Sequence, residues 1–101
     1  MRYAIKPFRI FLEDVKEYDK PSRRLIHEKI ELVKENPFRF KKLHSKIFSK
    51  VFRVRFRLKA KEVRLIYVVL DPDIILVCLL YRGNEYKQLE KILKRMKKEL
   101  G

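Results

Sequence analysis

The sequence predicts an α+β fold: a small antiparallel sheet, mixed at an edge, packed against an N-terminal helical hairpin, with a helix at the C-terminus. Three observations carry this. Apolar residues recur at helical spacing over residues 8–15, 25–33 and 89–100. "VFRVRFRL" alternates apolar and basic residues, the period of a strand with one buried face. "IILVCLLY" is apolar at both parities, as in a strand covered on both faces. With 101 residues, the chain is expected to form one domain, 1–101, around one core.

Each element follows in order. "RYAIKPF" reads as a short first strand ended by Pro7. Phe8, Phe11, Leu12 and Val15 then fall on one helical stripe, which predicts a helix to about Tyr18. "DKP" breaks it and starts another, with Asp19 or Lys20 near the cap and Pro21 in the first turn. Leu25, Ile26, Ile30 and Val33 stripe this second helix, and Asn36, preceding a proline, stops it. "FRFKKLHSKIFSK" reads as a loop leading into a short strand near residues 43–48. A strand over 51–58 follows, then a turn at "KAK", a strand over "EVRLIYVVL", a tight turn at "DPD" and the apolar strand. "GNE" breaks the sheet, with Asn84 as N-cap and Glu85 suited to the positive end of a helix. Leu89, Ile92, Leu93, Met96 and Leu100 stripe that last helix, with lysines on its other face.

The formal net charge is +14, with charged residues making up 40% of the chain. Such a balance favours a polyanionic partner: RNA, DNA or an acidic protein. The single cysteine, Cys78, excludes an internal disulfide and a cysteine metal cluster within one chain, and its apolar neighbours mark it as core. The two histidines, His27 and His44, give no metal-site spacing, so neither metal nor cofactor is expected. No long apolar run opens the chain, and none approaches a membrane span, so the cytoplasm is the expected location. Abundant Lys, Arg and Glu with Gln88 as sole glutamine fit a heat-adapted protein.

The charge is concentrated. From Arg39 to Arg64 the cations are Arg39, Lys41, Lys42, Lys46, Lys50, Arg53, Arg55, Arg57, Lys59, Lys61 and Arg64, against the single acid Glu62. Solvated strand faces normally mix signs, so this density points to an anion. Arginine suits phosphate because its planar fork meets two oxygens at once. Arg53 and Arg55 are two apart in a strand, which places them roughly 6–7 Å apart on one face. Arg64 on the neighbouring strand and Arg82 at a strand end extend the patch, and Tyr81 and Tyr86 offer rings on which single-stranded bases stack. Tyr67, inside "LIYVV", reads as core.

The stretch "VFRVRFRLKAKEVRLIYVVLDPDIILVCLLYRGNEY" resembles the second half of RelE-family toxins. Their pattern is a strand of alternating basic residues, a turn, "yRviY", a short turn, an apolar strand and a closing "R…Y". "ELVKENP" followed by "KKL" matches the family's helix end and the leucine before the sheet. The resemblance implies a RelE-like fold and the toxin of a toxin–antitoxin pair: a hydrolase that acts without a metal, enters the ribosomal A site and cuts mRNA, so inhibiting translation. The RNA's own 2′-hydroxyl attacks the adjacent phosphate, leaving a cyclic phosphate and a free 5′-hydroxyl. It implies an acidic antitoxin, the ribosome and mRNA as partners. By the match, Arg53 and Arg55 fall where the strand cations sit, Arg64 is the arginine of "yRviY", and Arg82 and Tyr86 are the closing pair, so these five are the implied catalytic residues. Arg57, Lys59, Lys61, Lys41, Lys42, Lys46, Lys50 and Tyr81 are the expected RNA and ribosome contacts.

Many relatives carry histidine before the closing arginine and a basic residue after it; here those positions are Tyr81 and Gly83. Arginine exchanges protons poorly, its pKa lying above about 12. The general base is therefore not assigned: Glu62 and His44 are candidates, but each reads more readily as a surface residue, Glu62 paired with a Lys or Arg and His44 solvated in its loop. Two alternatives stand beside the nuclease, a ParE-like gyrase inhibitor on the same fold and a non-catalytic RNA- or ribosome-binding protein.

Overall fold

A computed structural model describes residues 3–81 and 85–101. The chain runs β1 (Ala4–Pro7), α1 (Arg9–Lys16), α2 (Lys20–Glu35), β2 (Lys41–Leu43), β3 (Val51–Leu58), β4 (Lys61–Leu70), β5 (Asp73–Tyr81) and α3 (Glu85–Leu100). The strands form a five-stranded sheet in the order β1-β5-β4-β3-β2. β1 lies parallel to β5 and the remaining pairs are antiparallel, which is the expected mixed edge.

One face of the sheet is closed by α1 and α2. Phe52, Val54, Phe56 and Leu58 of β3 meet Phe11 of α1 and Ile26 and Val33 of α2 in one apolar layer. Phe52 stacks on Tyr67 with ring centroids 5.4 Å apart, and the Tyr67 hydroxyl donates to the Pro37 carbonyl, so this buried phenol is satisfied. Asp19 caps α2: its carboxylate accepts the Ser22 N–H at 3.0 Å, with Pro21 in the first turn. The same carboxylate pairs with Lys59 at the β3–β4 turn, and this bond holds its pKa down at about 2. Asp14 of α1 accepts the Leu79 N–H at 2.9 Å, tying α1 to β5, and burial pushes its carboxyl pKa up. α1 is shorter than the stripe predicts because Phe8 is extended and serves as its N-cap.

The other face carries a second apolar layer. Leu89, Leu93 and Met96 of α3 cover Val51, Ile66, Val68, Ile75, Val77, Cys78 and Leu80. Arg9 donates twice to the Glu99 carboxylate, at 3.0 and 2.7 Å, fastening the end of α3 to the start of α1. The strand expected near 43–48 lies earlier, at Lys41–Leu43. The Ser45 hydroxyl accepts the N–H groups of Ile47 and Phe48, satisfying them locally as a turn and leaving their side chains to pack on the α3 layer.

Two backbone features decide what points where. The β3–β4 turn holds Lys59 and Ala60 at φ values of 50° and 66°, the left-handed pair of a tight two-residue hairpin. The β4–β5 register slips between Ile66 and Tyr67, so Val77 is the extra residue of a bulge. Val77 and Cys78 consequently both face α3, and beyond them the alternation is inverted. Leu79 joins the helical-hairpin layer and Leu80 the α3 layer.

Candidate functional site

The α3 layer covers only part of its face. From Val51 the same parity of β3 continues as Arg53, Arg55 and Arg57, which become progressively more exposed. Pairing places Arg55 opposite Arg64, Arg57 opposite Glu62, and Lys41 opposite Arg53. Among the described residues, five cations and one carboxylate thus share the open end of the face. Like charges directly opposite one another destabilise a sheet, and Glu62 offsets this only partly. Its carboxylate accepts from Arg64 Nη2 at 2.7 Å and lies 3.8 Å from Arg55 Nε. Of the two sequence readings of Glu62, base or paired surface residue, the geometry shows the pair.

The first turn of α3 completes the group. The Tyr86 hydroxyl accepts from Arg53 Nη1 at 3.0 Å, and the Arg64 guanidinium lies 5.2 Å from the centre of the Tyr86 ring. Arg64 sits between Arg55 and the buried Leu80 in its cross-strand row, and its side chain is only 11% exposed. Its Nε and Nη1 are buried without a hydrogen-bond partner among the described residues. Buried guanidinium N–H groups left unmatched cost stability. Arg53 and Arg64 meet the Tyr86 hydroxyl and ring, and Arg55 lies opposite Arg64; planar forks gathered in this way are chemically suited to a phosphate.

The remaining predicted residues divide. Arg57 borders the group but turns its Nη2 to the Ala60 carbonyl at 3.1 Å. Lys59 is paired with Asp19 on the helical-hairpin side. Lys61, opposite Leu58, holds its ammonium 5.8 Å over the Tyr81 ring. Tyr81 is opposite Val63, on the helical-hairpin face, with its hydroxyl 2.7 Å from that of Tyr18. The structure therefore places Tyr81 away from Arg53 and Arg64. Without the bulge its parity would match Ile75 and Val77 and bring it to the arginine face. A cleft of about 560 Å³ lined by Arg57, Ala60, Lys61, Glu62 and Tyr81 connects the two sides around the turn. Lys42 shares the parity of Phe52, and Lys46 is exposed in the Ser45 turn. Lys50 pairs with Asp71 at 3.6 Å, at the far end of the sheet, so these three are not brought into the group. Arg82, Gly83, the expected cap Asn84 and the Glu85 side chain lie outside the described residues.

His27 is exposed on α2 and 3.9 Å from Glu31, and His44 is exposed; neither joins the arginines. Among the described residues no cluster of His, Cys, Asp or Glu could hold a metal, and no helix is long and apolar enough to cross a membrane. Sequence reasoning missed the Tyr18 partner of Tyr81. The two are 63 positions apart, and nothing local marks the contact.

No protein-family model and no curated protein matches the sequence. Solved structures do. A mutant of E. coli toxin RelE in the free state superposes with a TM-score of 0.74 at 18% identity, covering 95% of this chain and 99% of that one. The intact E. coli RelBE toxin–antitoxin complex gives a TM-score of 0.65 at 18% identity, over 81% of this chain and 99% of that one. The RelBE2 toxin–antitoxin complex of Mycobacterium tuberculosis gives 0.57 at 15% identity, over 83% and 95%. Likeness at these identities speaks to architecture, and the conclusion is that this chain has the fold of the RelE toxin.

Proposed function

We propose that the chain, as one RelE-like domain over 1–101, is the toxin of a toxin–antitoxin pair that cuts mRNA on the ribosome in the cytoplasm. The observation that carries this is the convergence of Arg53 and Arg64 on Tyr86, with Arg55 opposite Arg64. The RelE fold and the basic net charge support an acidic antitoxin as the second partner. In the proposed reaction the 2′-oxygen attacks the adjacent phosphorus and the bond to the 5′-oxygen breaks. The 2′-hydroxyl releases its proton and the departing 5′-oxygen takes one up, leaving a 2′,3′-cyclic phosphate and a 5′-hydroxyl. Arg53 and Arg64 neutralise the crowded phosphate, work that in other sites is worth about 10²–10³ in rate per donor. Tyr86, which accepts from Arg53, retains its own O–H to stack beside a base or pass a proton. By the sequence resemblance Arg82 adds a further cation.

One observation favours a second proposal. Among the described residues no histidine stands in the arginine group, and the carboxylate found there, Glu62, is already paired. A site with cations but no evident base can bind RNA without cutting it. Primer extension on mRNA from translating ribosomes separates the two. The nuclease proposal expects new 3′ ends in the A-site codon; intact mRNA on stalled ribosomes supports binding alone. Replacing Arg82 with Ala is expected to slow cutting more than tenfold.

A further inference from the structure

We propose that the outer face of α3 is a track for a single RNA strand leaving the arginine site. The inner face of the helix is spent on the core through Leu89, Leu93 and Met96. On the opposite side Lys87, Lys91, Lys94, Arg95 and Lys98 are all exposed and share one stripe of the helix, with Lys94 and Arg95 adjacent in it. Glu90 and Glu99 lie on the flanks, and Glu99 is engaged by Arg9. Among the described residues none of the five cations is within ion-pair distance of a carboxylate. Like charges at i,i+4 destabilise a helix, here at Lys87/Lys91, Lys91/Arg95 and Lys94/Lys98. A bound anion relieves that repulsion.

The spacing and the starting point identify the anion. Four residues of helix advance about 6 Å, on the order of the step between phosphates of an extended strand. The ridge begins one residue beyond Tyr86, which touches both Arg53 and Arg64. A strand with one phosphate among the arginines would pass round the first turn of α3, where Lys87 is the first cation of the ridge. Two shallow grooves run there, of about 240 and 290 Å³, both lined by Lys91 and Arg95. A bilayer is disfavoured because the apolar face of α3 is already buried. The inference rests on RNA being the ligand of the arginine site, not on its being cut.

The test is binding of a 12-mer and a 4-mer of 2′-O-methyl RNA, which lack the attacking hydroxyl, across a salt series. Wild type is compared with the triple variant Lys91→Gln/Lys94→Gln/Lys98→Gln, whose fold is checked by circular dichroism. Each lost phosphate contact lowers the slope of log K against log salt by about 0.7 for single strands. The triple variant should therefore lose about 2 from the slope, and the single Lys98→Gln about 0.7. The advantage of the 12-mer over the 4-mer should fall at least tenfold, while Arg53→Gln leaves the ridge's share of the slope in place. Equal slopes, or a loss seen only with polyglutamate or anionic vesicles as the probe, would overturn the track. Intact cutting with equal slopes sinks the track alone. A slope difference without any cutting sinks the nuclease proposal and keeps the track.

Discussion

The two faces of β3 are built from the same eight residues to opposite ends. On the helical-hairpin face Phe52, Val54, Phe56 and Leu58 are all buried beneath α1 and α2. On the other, Val51 is fully buried, but Arg53, Arg55 and Arg57 run out from under α3 into the open. The first face contributes stability through apolar area removed from water. The second holds cations against one another, with Arg64 hydrogen-bonded among the described residues at one of its nitrogens. An arrangement that opposes folding on one side of a strand, kept in place by the other side, fits the proposed phosphate site.

The difference can be broken from either side. Phe52→Ala removes a ring stacked on Tyr67 and edge-on to Phe38, and should cost about 3–5 kcal/mol in denaturant unfolding, with the arginine group intact in whatever fraction stays folded. Tyr86→Phe keeps the ring beside Arg64 but loses the acceptor for Arg53. It should leave the unfolding midpoint within error and slow mRNA cutting about 10²-fold if the hydroxyl passes a proton. At the turn where the faces meet, Ala60→Gly frees a residue held at φ 66° and should raise stability by about 1 kcal/mol, read from the thermal midpoint.

The smallest effect concerns pH. The folded pKa of Asp19 is depressed by its bond to Lys59, from 3.8 to about 2. A depressed carboxylate contributes its stability above the unfolded value and loses it as pH falls through the folded one. Wild type should therefore lose stability on acidification from 3.8 towards 2, while Asp19→Asn, which cannot titrate, is flatter over that window. Asp14, whose pKa burial raises, works in the opposite direction in both proteins and cancels from the difference. Identical profiles would remove the Lys59 bond from the account.

Most of the fold was legible because its signals are local. The alternation of "VFRVRFRL" marks β3 to the residue, and Asp19, Pro21 and Asn36 bracket α2 as their backbone chemistry demands. Of the candidate site, the shared face of the strand arginines was legible in that alternation. What stayed hidden depends on contacts that no period records. The bulge at Val77 is one extra residue in an apolar run, yet it decides that Tyr81 meets Tyr18 instead of Arg64. The Ser45 turn replaces the expected strand through a single hydroxyl. Lys42, Lys46 and Lys50 raised the charge count without joining the group, because counting charge in sequence ignores which end of the sheet each residue occupies.

The central claim is that Arg64 is buried for a phosphate and not for the fold. The direct measurement pairs denaturant unfolding with A-site mRNA cutting for Arg64→Met, which replaces the guanidinium with an apolar side chain of similar reach. The account predicts stability equal to or above wild type, as when buried ions give way to apolar groups, and cutting slowed at least 10²-fold. A variant that unfolds more easily yet cuts at the wild-type rate would contradict it, and would make Arg64 a structural residue.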